Sequence, residues 1–180
     1  MNIFALSPDP QEAAEWHCDK HVVKMIIESG QMLSTAHRML DGNETRRPSS
    51  TGKTMSRYWE LEDSREDVLY KAVHTGHPCT VWTMESDRHY FWHYLLFEFL
   101  CKEYTYRYGK IHKTESLRSA LKQLPNNIPV SYLTQPTPAM GKFPHCIVEG
   151  DSLASYHKYY REAKRHFAKW TKREVPSWYN

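Results

Sequence analysis

The sequence predicts an all-α fold: one compact domain, residues 1–180, of about five helices with a long proline-rich irregular segment. Three observations predict it. Apolar residues recur at steps of three and four, as in Val22, Met25, Ile26, Leu33 and Ala36, and again in Leu153, Tyr156, Tyr160, Ala163, Phe167 and Trp170. Breaker clusters at Asp41-Gly42, His74–Pro78 and Gly109 stop these stretches. Five prolines between positions 125 and 149 exclude a regular element there.

Each element follows in order. Met1–Leu6 is a short apolar opening. In Ser7-Pro8-Asp9-Pro10, Asp9 suits a helix N-cap and Pro10 the first helical position. A first helix is expected from Gln11 to about Leu40. Residues 42–54, rich in Gly, Ser, Thr, Arg and Pro, read as an exposed loop. Thr51-Gly52-Lys53-Thr54 is not the end of a phosphate-binding loop, because Arg47 stands where that motif needs glycine. A second helix is expected over about Met55–Val73 and a third over about Cys79–Tyr108, kinked near Ser86 and central to the core. A short helix over Glu115–Leu124, the irregular segment 125–149 and a last helix from Asp151 or Ser152 through Trp170 complete the chain.

The 180 residues are 40% hydrophobic and 25% charged, the balance of a globular protein rather than a disordered one. Four separated cysteines (Cys18, Cys79, Cys101, Cys146) form neither a disulfide framework nor a zinc-finger spacing and fit reduced thiols in a cytosolic setting. No secretory signal is recognisable, and the apolar run Phe91–Cys101 is too short and polar for a membrane span. The net charge of +3 says little. Its distribution says more, because Lys158, Arg161, Arg165 and Lys169 fall on one side of the last helix. With Arg46 and Arg47 in the loop, and tyrosines 104, 106 and 108 beside Arg107, this suits nucleic-acid phosphates and bases; a merely solvated face is the alternative.

The first helix carries the strongest chemical signal. His17, His21, Lys24 and Glu28 are spaced four, three and four apart and share a face, extended by Gln31 and Thr35. They are expected to line a pocket; a solvated face with a Lys24–Glu28 pair is the alternative. Histidines four apart on a helix also suit a divalent metal, with His74 or His77 completing a ligand set of His17, His21, His74 and His77. Otherwise no cofactor is expected.

Three blocks of this sequence resemble a family. They are Met1–Leu6 with Pro8-Asp9-Pro10 and Asp19–Lys24 with Glu28 and Gln31; Gly76-His77-Pro78 with Trp82 and Glu103–Gly109; and Tyr156–Tyr160 with Trp170 and Pro176–Tyr179. Together they resemble a group of small uncharacterised phage proteins and, more distantly, the pyrimidine-dimer DNA glycosylases of the endonuclease V type. The resemblance skips 42–54 and most of 125–149. It implies an all-helical DNA-repair enzyme in the host cytoplasm, a DNA glycosylase with AP-lyase activity whose N-terminal α-amine attacks the sugar C1′. An α-amine ionises near pH ~8 against ~10.4 for lysine, so more of it is free at neutral pH. Asn2 is bulky, so Met1 is expected to be retained and to stand at the nucleophile's place. The family's arginine–glutamate–arginine cluster is not reproduced: His21 or Asp19 falls near its glutamate and Lys24 near an arginine.

The expected catalytic set is therefore Met1 or Lys24 as the amine, Glu28 or Asp19 as acid/base, and His17 and His21 as polarising groups. DNA is the expected partner, gripped by Arg46, Arg47, Lys158, Arg161, Arg165 and Lys169, and no membrane is involved. A metal-dependent nucleotide or phosphoester hydrolase and a non-enzymatic nucleic-acid-binding or host-modulating phage protein are the alternatives.

Overall fold

The computed structural model describes residues 1–49 and 51–180, so Ser50, within the expected loop, lies outside the described residues. The chain order is α1 (Pro10–Trp16), α2 (Asp19–Asp41), β1 (Asn43–Pro48), β2 (Met55–Glu60), α3 (Arg65–Val68), α4 (Pro78–Met84), α5 (Asp87–Tyr108), α6 (Arg118–Leu121) and α7 (Ser152–Tyr159). Short 3-10 turns precede α6 and α7, and a π-helical turn (Tyr160–Lys164) continues α7.

The all-α bundle of about five helices is corrected by this structure. β1 and β2 pair antiparallel, with Asn43 opposite Glu60 and Pro48 opposite Met55, where a loop and the start of a helix were expected. Arg38 explains why this region is not helical. Its side chain, 1% exposed, donates to the carbonyls of Trp59, Glu66, Leu69 and Tyr70 and pairs with the Glu66 carboxylate at 2.6 Å. A helix would use most of those carbonyls internally; a buried guanidinium with five donors needs them free.

The expected first helix is two helices. Asp9 caps α1 by accepting from Glu12 N at 2.8 Å, with Pro10 at the first helical position. At His17 and Cys18 the backbone turns extended and α2 starts afresh. The expected third helix also divides: Ser86 caps α5 by accepting from Arg88 N at 3.1 Å, and Gly109, at φ 64°, ends it in the left-handed conformation that glycine adopts without strain.

The last helix stops earlier than expected. Beyond Lys164 the chain crosses the α1–α2 junction, where the Lys169 carbonyl accepts from Asp19 N at 2.8 Å and the Trp170 indole donates to the Trp16 carbonyl at 2.8 Å. Those two bonds satisfy groups that the α1–α2 break leaves open, and a helix continuing to Trp170 would not reach both. α2 and α5 form the centre, with Met25, Ile26, Met32, Leu33, Leu96, Phe97 and Leu100 buried between them and their neighbours. At Gly30, α2 passes so close to Thr114 that an added Cβ would stand 2.6 Å from its methyl group.

Candidate functional site

Residues 1–6 lie over the polar stripe, whose His17 stands at the end of α1 and whose other members lie on α2, and divide it into two environments. At one end, Phe4 stacks on His21, ring centroids 4.3 Å apart, and Tyr160 hydrogen-bonds His21 Nδ1 at 2.5 Å. His17 is fully buried and donates from Nδ1 to the Ala13 carbonyl at 2.6 Å. Burial pushes His17 down to about 4 and His21 down to about 2, so both are neutral core groups at physiological pH. Neither is placed to polarise a substrate. Phe4 sits at φ 51°, a conformation that costs a non-glycine residue about 1–3 kcal/mol. The Asn2 side chain helps to hold it, accepting from Ile3 N at 2.8 Å and Phe4 N at 3.2 Å.

Asp19 lies at the foot of α2, away from this face. It accepts from Arg107 at 2.9 Å, from Thr171 N at 2.9 Å and from Thr171 Oγ1 at 2.7 Å. Arg107, whose side chain is fully buried, also pairs with Glu103 at 2.7 Å, and Arg173 reaches the same Glu103 at 2.8 Å. Asp19 is thereby a structural anchor rather than an acid/base.

At the other end the stripe meets the chain's own amine. Met1 N lies 4.0 Å from Glu28 Oε2, Asn2 N donates to the same oxygen at 2.7 Å, and Lys24 Nζ pairs with Glu28 Oε1 at 3.1 Å. Glu28 is buried and Lys24 is exposed. The Met1 side chain is only 4% exposed although the residue as a whole is half-buried, so solvent reaches mainly its main chain. Asn2 is locked beneath: its Nδ2 donates to the Ala139 carbonyl at 2.8 Å, and the Tyr156 hydroxyl donates to its Oδ1 at 2.6 Å.

The His74–Pro78 turn borders this end. Burial lowers the His77 pKa, the positive amine and His74 lower it further, and Glu28 opposes them. His77 Nδ1 accepts from Cys79 N at 3.2 Å, capping α4. The Cys79 thiol, buried beneath, is pushed up to about 11 and is not a nucleophile. His74 and His77 thus share the amine's surroundings while His17 and His21 are sealed in the core. Among the described residues, no close group of three metal-ligating side chains includes any of the four.

A cleft of about 350 Å³ opens among Ala5, Pro8, Trp82, Trp92, Gln135 and Leu153, and none of the four stripe residues lines it. The basic residues divide similarly. Lys158 donates to the His145 carbonyl at 2.6 Å, and Arg161 to the Trp178 carbonyl at 2.7 Å. Arg47 pairs with Glu60 at 2.8 Å and lies over the Tyr58 ring. Arg46, Arg165 and Lys169 are exposed. Asn2 and Tyr156, which hold the amine segment, were missed by sequence reasoning; a lone polar residue inside the apolar opening was the signal for Asn2.

No family model matches the chain, and no curated protein or solved structure matches it. No helix among the described residues is long and apolar enough to cross a membrane.

Proposed function

We propose that the chain, with a free amine at Met1, is a DNA glycosylase with AP-lyase activity that uses this amine as its nucleophile. One observation carries the reading: the amine end of Met1 meets the buried carboxylate of Glu28, with Lys24 beside it. An amine beside a carboxylate can lose a proton to it and attack an electrophilic carbon. At C1′ of a damaged nucleotide, the nitrogen lone pair forms the C–N bond as the bond to the base breaks, and the base leaves with that electron pair and a proton. Glu28 would stabilise the cationic sugar while this happens and then move the proton that converts the adduct to an imine. The hydrogen bonds that clasp Asn2 hold the adjoining amine in one place before substrate arrives, which reduces the entropy lost on reaction.

Arg165, Lys169 and Arg46 are the exposed cations proposed to meet phosphates. Neutralising Arg165 and Lys169 together is expected to weaken DNA binding and to flatten its salt dependence by about one unit of slope per lost contact.

The test is borohydride trapping on abasic and dimer-containing oligonucleotides, with intact mass spectrometry establishing Met1 at the terminus. A covalent adduct is expected, lost on N-terminal acetylation and slowed about 10²–10⁴-fold in Glu28→Gln. An adduct that survives acetylation overturns the amine assignment. Salt-sensitive DNA binding with no adduct on any substrate replaces the enzyme with a binding protein.

A further inference from the structure

The irregular segment 125–149 ends in a 3-10 turn, Pro144–Cys146, that faces the π-helical turn continuing α7. Three ligating side chains meet there. His145 Nε2 lies 2.9 Å from Glu162 Oε2, and the Cys146 thiol donates to the same oxygen at 3.6 Å. All three ligand atoms fall within 4.8 Å of one another. Cys146 forms a buried floor, and His145 and Glu162 form an exposed rim. Glu162 lies within the π turn. Such turns recur at functional sites.

We propose that His145, Cys146 and Glu162 form a binding site for a divalent metal of the zinc class, with water as the fourth ligand. The donor set is one imidazole, one thiolate and one carboxylate, which suits zinc and excludes magnesium and calcium. The three ligand atoms, all within 4.8 Å of one another, can converge on one ion after small side-chain shifts. Tetrahedral zinc, with bonds of about 2.0–2.3 Å, holds its ligand atoms about 3.4–3.6 Å apart. The Cys146–Glu162 separation of 3.6 Å already meets this, and the His145–Glu162 contact needs to open by about half an ångström.

Without metal, burial and the Glu162 carboxylate push the thiol up, so it keeps its proton and gives it to Glu162 as a hydrogen bond. Metal binding replaces the S–H bond with a metal–sulfur bond, and that proton leaves to solvent. The metal then reinforces the ties that Lys158 and Glu162 already make between the proline-rich segment and the end of α7. The site uses none of the side chains around Met1.

The experiment uses the tag-free full chain, stripped with chelator and titrated with Co²⁺ and then Zn²⁺. A thiolate-to-cobalt charge-transfer band saturating at a single equivalent is expected, lost on Zn²⁺ displacement, together with a rise in Tm with Zn²⁺. Cys146→Ser should abolish the band. Because that residue is buried and its substitution also perturbs packing, the exposed rim variants His145→Ala and Glu162→Gln carry the test independently. Each should weaken binding by more than the roughly 10–100-fold lost with an outer-shell partner. No band, a band that survives Cys146→Ser, or unchanged affinity in both rim variants would overturn the site.

Discussion

The two ends of the polar stripe, His17 and His21 across the α1–α2 break and Lys24 and Glu28 further along α2, share one spacing and differ in everything else. His17 and His21 are sealed under Phe4 and Tyr160, uncharged and held by packing. Lys24 and Glu28, one and two turns further on, meet the amine end of the chain and are organised by charge. The difference comes from residues 1–6, which cover one end completely and stop at the other. A helical period places side chains on a common face; what lies over that face decides whether they become core or site.

If the closed end is structural, its anchors should cost the most to remove. Arg107→Ala leaves Asp19 and the buried Glu103 without their shared partner, with Arg173 alone still reaching Glu103. A loss of about 3–5 kcal/mol is expected, measured by urea unfolding with an unchanged m-value. A loss under about 1 kcal/mol would mean that Asp19 and Arg107 are not the anchor that the closed end requires.

Much of this organisation was legible in local sequence, and the part that was not depends on distant contacts. Asp9-Pro10 and Gly109 mark boundaries through bonds to their own neighbours and are legible in the sequence, whereas at Ser86 a kink is expected and the structure has a full break between α4 and α5. The β1–β2 hairpin escaped because Arg38, which lies before it on α2, donates to the carbonyl of Trp59 on β2 and to those of Glu66, Leu69 and Tyr70 in and just after α3. The last helix was drawn too long because its apolar stripe continues to Trp170, whose indole is needed at Trp16. Only His21, Lys24 and Glu28 share α2; the break at His17 and Cys18 leaves His17 at the end of α1, and no spacing rule says that Phe4 will stack on His21. The Met1–Glu28 meeting did follow from a short apolar opening that must turn back at Pro8–Pro10.

The second contrast is in acid. His17 and His37 are pushed down to about 4, His93 to about 3 and His21 to about 2, all chiefly by burial. Their folded pKa values lie below the unfolded value of about 6.5, so the unfolded chain binds the extra protons. Their contribution to stability is complete above pH ~6.5 and is lost as pH falls from there toward each folded value, at up to about 1.4 kcal/mol per pH unit per histidine. His21→Phe keeps an aromatic ring against Phe4 and removes one titrating group. Its stability should fall less steeply between pH ~6 and ~4, by about one proton, in a series of urea unfolding curves. An unchanged slope would show that His21 is not sealed and that the closed end opens to water.

The smallest effect belongs to the open end and separates its two amines. Lys24 is 67% exposed and spaced i, i+4 from Glu28, a geometry worth about 0.3–0.5 kcal/mol in exposed pairs. Lys24→Ala should therefore change stability by less than about 0.5 kcal/mol, at the edge of what unfolding curves resolve. Its chemical consequence is sharper. With Met1 as nucleophile, borohydride trapping persists in Lys24→Ala, because the α-amine and Glu28 remain 4.0 Å apart. With Lys24 as nucleophile, trapping disappears in the variant and survives acetylation of Met1. The variant also frees Glu28 Oε1 of its lysine partner, leaving that carboxylate to the amine and to Asn2 N. Trapping that persists at an unchanged or higher rate would assign the chemistry to the buried carboxylate and the chain's own terminus. Trapping that vanishes would move it to the solvent-facing lysine and leave Met1 a packing element like Phe4.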